Sequence, residues 1–104
     1  MGNINEWEQA EEGVKRKIHS PGEKVMMMEV VFEKGAKGSK HAHPHEQLTY
    51  CLKGKLRFEI AGEEVVLAEG ESVHIPSNKE HGVTALEESK LLDVFTPLRE
   101  DLLS

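Results

Sequence analysis

Cysteine is nearly missing: Cys51 stands alone, so no internal disulfide can form, and such a chain fits a reducing compartment. Long apolar runs are missing as well. No window approaches the roughly 18 apolar residues of a membrane span, and the opening MGNINEWEQAEEG has no apolar signal-peptide core. A soluble, cytoplasmic protein without a membrane partner is expected. Lipidation is not, because Glu6 occupies the place where a myristoylation signal carries Ser or Thr. Runs of Lys or Arg are also absent. With 19 acidic against 13 basic residues and a net charge of −6, the chain has no electrostatic footprint for nucleic acid or a lipid surface. The same charge repels anions in bulk, so an anionic ligand would need a locally positive pocket. Linkers, low-complexity tracts and full-length repeats are lacking too, and 104 residues suffice for one domain with one core.

What is present is a succession of short β-like segments punctuated by glycine. After an acidic N-terminal arm over residues 1–20, which could be a short helix, a strand or a loose segment, KVMMMEVVFEKG sets Met26, Met28, Val30 and Phe32 on one strand face. Val25, Met27 and Val31 make the opposite face apolar as well. A strand apolar on both sides is either central between layers or paired with another subunit, and a homodimer is expected. The methionines read as core or interface filler rather than soft metal ligands. QLTYCL, LRFEI and VVL, joined through KGK and AGEE, read as successive hairpin strands, with Leu56, Phe58 and Ile60 alternating against Arg57 and Glu59. AEGESVHIP, HGVTAL and SKLLDVFTP complete the set, Pro76 ending the first of them. Seven or more strands without a long amphipathic helix predict an antiparallel sandwich or barrel over residues 21–104. Cys51 falls within this pattern as core or pocket lining.

HAHPHEQ concentrates three of the six histidines at alternate positions. In a continuous strand His41, His43, His45 and Gln47 would share a face, and neutral imidazoles gathered there suit a divalent transition ion. Solvated histidines on a polar strand are the plainer alternative. A second pattern favours the metal. Gly35, His41, His43, Gln47 and Gly54, followed by Gly70, Pro76 and His81, have the order and spacing of two motifs, and by them the chain resembles the cupins. That resemblance covers nearly everything after residue 20. It implies a double-stranded β-helix jelly roll in a single domain, with one divalent metal (Zn, Ni, Mn, Cu or Fe) held by His41, His43 and His81. Gln47 takes the position where most cupins have a glutamate. His45 falls outside the ligand pattern and is expected at the pocket wall, His19 and His74 on the surface. Asn78 and Ala85 depart from the second motif, which puts its turn and loop in question. Three neutral imidazoles and a neutral amide would leave the ion's full charge for an anionic ligand; the plainer alternative is a decayed site of weak affinity.

Leu91, Asp93 and Phe95 share one face of the last strand, with Arg99 just beyond Pro97. A carboxylate pointing into an apolar barrel is costly unless it is used or paired. Pairing of Asp93 with Arg99, Phe95 as core and Arg99 at the surface are readings that spacing alone leaves open. Together HAHPHEQ, IPSNKEHG and ALEESKLLDVF resemble a group of small cupins of pectin and uronate catabolism. The resemblance implies an anionic sugar acid as substrate, a 4,5-unsaturated monouronate opened to the linear 5-keto-4-deoxyuronate, with Asp93, Phe95 and Arg99 at the catalytic and substrate-contacting positions. A cupin dioxygenase, a sugar isomerase of other specificity and a non-catalytic anion-binding sensor remain alternatives on sequence.

Overall fold

The computed structural model describes residues 4–103. Ten strands follow in order: β1 (Trp7–Glu11), β2 (Val14–Ile18), β3 (Met26–Phe32), β4 (Lys37–His41), β5 (Glu46–Lys53), β6 (Lys55–Ile60), β7 (Glu63–Ala68), β8 (Ser72–Ile75), β9 (His81–Ala85) and β10 (Ser89–Thr96), with a single helical turn α1 (Glu100–Leu103). They form a six-stranded sheet, β1-β2-β3-β10-β5-β8, and a four-stranded sheet, β4-β9-β6-β7. Every pairing between these strands is antiparallel, and a single parallel bridge joins Ile4 to Ile18. This is the expected jelly roll, and among the described residues no helix is long and apolar enough to cross a membrane.

Alternation builds the core. Met26, Met28, Val30 and Phe32 of β3 are buried, while Met27 between them is 43% exposed. Leu56, Phe58, Leu67, Ile75, Cys51 and Ala85 come to the same interior from other strands, and each large apolar side chain buried this way stabilises by about 1.5–3 kcal/mol. Of the two positions expected for a strand apolar on both faces, the one between layers does not hold: β3 lies between β2 and β10 within the larger sheet, and Met27 leaves its outer face exposed.

Two expectations change in structure. QLTYCL and LRFEI are not hairpin partners, because β5 pairs with β8 and β10 while β6 pairs with β7 and β9. The chain crosses from one sheet to the other at Gly54, whose φ is 85° and where an added Cβ would strike Ser89 and the carbonyl of Glu88. Glycine is required there on both counts. The segment read as an N-terminal arm also supplies β1 and β2, which extend the larger sheet, and Val14 and Ile18 belong to the core. Glu11 then reaches across to the other sheet, accepting from Ser39 Oγ at 2.5 Å and Ser39 N at 3.2 Å.

Candidate metal and substrate site

The four residues of the HAHPHEQ pattern do not share a strand face. β4 ends at His41 and β5 begins at Glu46, so residues 42–45, with Pro44 among them, form a bend between the two sheets. His41 and His43 converge because the chain turns. His41 lies opposite His81 of β9 in the sheet register, and the ligand-capable nitrogens of His41, His43 and His81 all fall within 4.8 Å of one another. His43 and His81 are buried, His41 exposed. His45 lies outside the cluster, its ring centre 5.5 Å from that of His43, and lines a separate groove with Pro97, Arg99 and Asp101 rather than the wall of the cavity that Asp93 and Gln47 line. His19 and His74 bond Glu29 (2.6 Å) and Glu46 (2.8 Å) away from the site. Asn78, where the motif has glycine, has φ 63°, a left-handed conformation that asparagine tolerates better than most residues.

Backbone carbonyls set the protonation of all three imidazoles. His41 Nδ1 lies 2.9 Å from Ser39 O, His43 Nδ1 3.0 Å from His45 O, and His81 Nδ1 2.9 Å from Lys79 O. A carbonyl only accepts, so each Nδ1 carries the proton and each Nε2 presents a lone pair to the cluster. Burial first, then the charges of Arg99 and His81, hold the His43 pKa down to about 4, and burial also lowers that of His81. Both rings stay neutral near pH 7.

Gln47 completes the set. Its Nε2 donates to Thr49 Oγ1 at 2.8 Å and to Asp93 Oδ1 at 3.2 Å, which fixes its Oε1 toward His43 Nε2, 3.1 Å away. Two lone pairs therefore face each other with no proton between them, and His81 Nε2 is buried with no partner. A cation accepting from both resolves the contact, and the spacing matches adjacent donors on one ion about 2.1 Å from each. The three imidazoles and the amide oxygen fit a divalent transition ion on chemistry and spacing alike.

Asp93 sits beside this cluster on β10. Thr49 Oγ1 donates to its Oδ1 at 2.6 Å, so Gln47, Thr49 and Asp93 form one hydrogen-bonded chain. Burial pushes the Asp93 pKa up to about 6 against these hydrogen bonds and the Arg99 charge. Arg99 does not pair with Asp93. It is bound by both oxygens of Asp101, at 3.1 and 2.8 Å, and its guanidinium lies 5.1 Å from the ring centre of Phe95. Phe95 is buried and also meets the His43 ring edge-on, 5.8 Å between centres. All of Asp93, Phe95, Arg99, His41, Gln47 and His81 line a cavity of about 230 Å³, smaller than the roughly 300–1,000 Å³ of drug-sized pockets and suited to a single small ligand. Cys51 is fully buried outside that lining, and burial raises its thiol pKa.

Sequence reasoning missed two residues here. Thr49 shares its strand face with Gln47, and that parity was the available signal. Arg16, which lines the same cavity, shares its parity with the apolar Val14 and Ile18.

Comparison with known proteins fixes the family. A cupin domain matches residues 28–95. The chain is a cupin. This cupin is 41% identical to the pectin degradation protein KdgF of Dickeya dadantii over 93% of its own length and 90% of that protein's. Among solved structures it is similar to KdgF from a Halomonas species, with a TM-score of 0.89, 33% identity and coverage of 98% and 99% of the two chains. An RmlC-like cupin from Shewanella frigidimarina gives 0.88 and 34%, covering 93% of this chain and 87% of that one. The likeness to KdgF extends over β1 and β2, beyond the matched cupin segment.

Proposed function

We propose that this cupin opens the ring of 4,5-unsaturated monouronates, pectin- or alginate-derived, to the linear 5-keto-4-deoxyuronate. The observation that carries the reading is Asp93, a buried carboxyl held by Thr49 and Gln47 in the cavity wall that also presents the histidine cluster and Arg99. The likeness to KdgF supports a role in pectin degradation.

The substrate's ring oxygen joins a hemiacetal C1 to an enol-ether C5. Loss of the C1 hydroxyl proton forms the C1 carbonyl, breaks the bond from C1 to the ring oxygen and leaves an enolate at C5. Protonation at C4 then yields the C5 ketone, so one proton moves and no electrons are lost. Asp93 takes that proton and returns it; a pKa near 6 lies close enough to neutral for both halves of the task. Arg99, mostly buried against Phe95, orients the substrate carboxylate, and Phe95 shapes the sugar pocket. A divalent ion held by His41, His43, His81 and Gln47 would supply positive charge to the carboxylate and the developing C5 oxyanion.

The same reading includes a homodimer. Met27, Leu48 and Tyr50 are exposed by 43%, 53% and 43% on the outer face of the larger sheet, and Val94 pairs with both Met27 and Leu48 in register. Such an apolar row is suited to a second copy. It also sets the protein in the cytoplasm, where a lone thiol stays reduced.

Loss of ultraviolet absorbance from the conjugated C4=C5 uronate tests the reaction. Metal-loaded protein is expected to accelerate the loss over the spontaneous rate, and a chelator to remove the acceleration. No acceleration by metal-loaded protein would refute the reading.

A further inference from the structure

The cavity contains a second guanidinium that the ring-opening steps leave without a role. Arg16 stands on β2 between the buried Val14 and Ile18, and the two-residue repeat of a strand turns it to their inner face, where it lines the cavity. Its Nε donates to Glu8 Oε1 at 2.8 Å, the two residues being direct cross-strand partners. Among the described residues no other hydrogen bond engages its terminal nitrogens.

Register places Arg16 away from the histidines. It lies opposite Val30, and Val30 opposite Leu91, whereas Asp93 lies opposite Met28. At a rise of about 3.4 Å per residue, Arg16 is attached roughly 7 Å deeper along the sheet than Asp93. Of the two guanidiniums, Arg99 is the one whose charge bears on Asp93, His43 and His81. One cation thus serves the metal end of the cavity and the other the opposite end.

The partner of Arg16 decides what that end can recognise. A lone guanidinium would draw a second carboxylate, but Glu8 balances the charge of Arg16. What remains is a set of free donors held in place by Glu8, in a wall to which Glu11 also contributes a carboxylate, the combination that matches neighbouring hydroxyls. We infer that Arg16, held by Glu8, determines specificity by binding the C2 and C3 hydroxyls of a sugar acid whose carboxylate end faces the histidines. This rests on the ring-opening reading. Unsaturated monouronates from pectin and from alginate share the C4=C5 carboxylate end and differ in configuration at C2, so discrimination between them falls to the hydroxyl end.

The test measures kcat and KM on both C2 epimers for the metal-loaded wild type, Arg16→Met and Arg16→Lys, with metal content and thermal unfolding checked for each. Wild type is expected to prefer one epimer. Arg16→Met should lower kcat/KM about 10- to 100-fold, mainly through KM, and bring the epimer ratio close to one. Arg16→Lys, which keeps the charge and loses the planar fork, should regain affinity without regaining the ratio, and it decides the matter if Arg16→Met does not fold. An unchanged epimer ratio in the folded variants, or a wild type that treats both epimers alike, overturns the inference and leaves ring opening standing. A wild type that opens neither epimer removes the ring-opening reading and the inference with it.

Discussion

The inner face of β5 is polar toward the barrel mouth and apolar deeper in, whereas on β10 the polar Asp93 stands between the apolar Leu91 and Phe95. Along β5, Gln47 and Thr49 give way to Cys51; along β10, Asp93 gives way to Leu91. All six are buried. The deeper residues join Leu56, Phe58 and Leu67 in a core where burial alone stabilises. Near the mouth, Gln47, Thr49 and Asp93 are bound to one another, yet His81 Nε2 remains without a partner and Asp93 keeps a raised pKa. A small domain carries such costs where a site needs them, and its stability comes from the other end.

Substitutions at the two ends should therefore separate folding from metal binding. Leu56→Ala, at a fully buried position, is expected to cost about 2–5 kcal/mol in denaturant unfolding while the folded fraction keeps its metal. His81→Ala removes an unpartnered buried nitrogen together with one hydrogen bond to Lys79 O, and should change metal-free stability by about 1 kcal/mol or less while abolishing retention of a divalent ion. Equal destabilisation by both would break the contrast.

Acid should expose buried titrating groups of opposite sign, His43 and His81 on one side and Asp93 on the other. The folded pKa of His43, about 4, lies below its ordinary 6.5, so the unfolded chain binds more protons and metal-free stability falls as pH drops from 6.5 toward 4. The folded pKa of Asp93, about 6, lies above its ordinary 3.8, so its contribution favours the folded state at low pH and is lost as pH rises through 6. Between pH 6.5 and 4.5 the histidines and Asp93 partly cancel, and Glu29, whose pKa is lowered to about 2 from 4.5 chiefly by Lys90, keeps most of its contribution there. Asp93→Asn removes one side of the balance. Metal-free melting temperatures of the variant should fall more steeply with acid than those of the wild type across that window; parallel curves would count against an Asp93 pKa near 6.

Alternation along β3, β6 and β10 made the layers legible in sequence, and two motifs at fixed spacing made the histidine cluster legible. What escaped depended on how the sheets are paired. Parity cannot show that β5 and β6 belong to different sheets, because a hairpin and a crossing at Gly54 leave the same alternation. The bend at residues 42–45 likewise replaced the straight strand suggested by HAHPHEQ, and reached the same cluster by a different route. Thr49 was hidden because threonine is ordinary in a strand, and the pairing of Arg99 with Asp101 because Asp101 lies beyond the strand that the motif marks. Arg16 was obscured by reading residues 1–20 as an arm, although Val14, Arg16 and Ile18 repeat every second residue.

The most direct test of the central claim is the turnover of Asp93→Asn, with bound metal measured in the same sample. Asparagine retains an oxygen for the Thr49 hydrogen bond but cannot accept and return a proton at neutral pH. The account predicts wild-type metal content and a loss of turnover of about 10²- to 10⁴-fold. Wild-type turnover in a fully metal-loaded variant would contradict it.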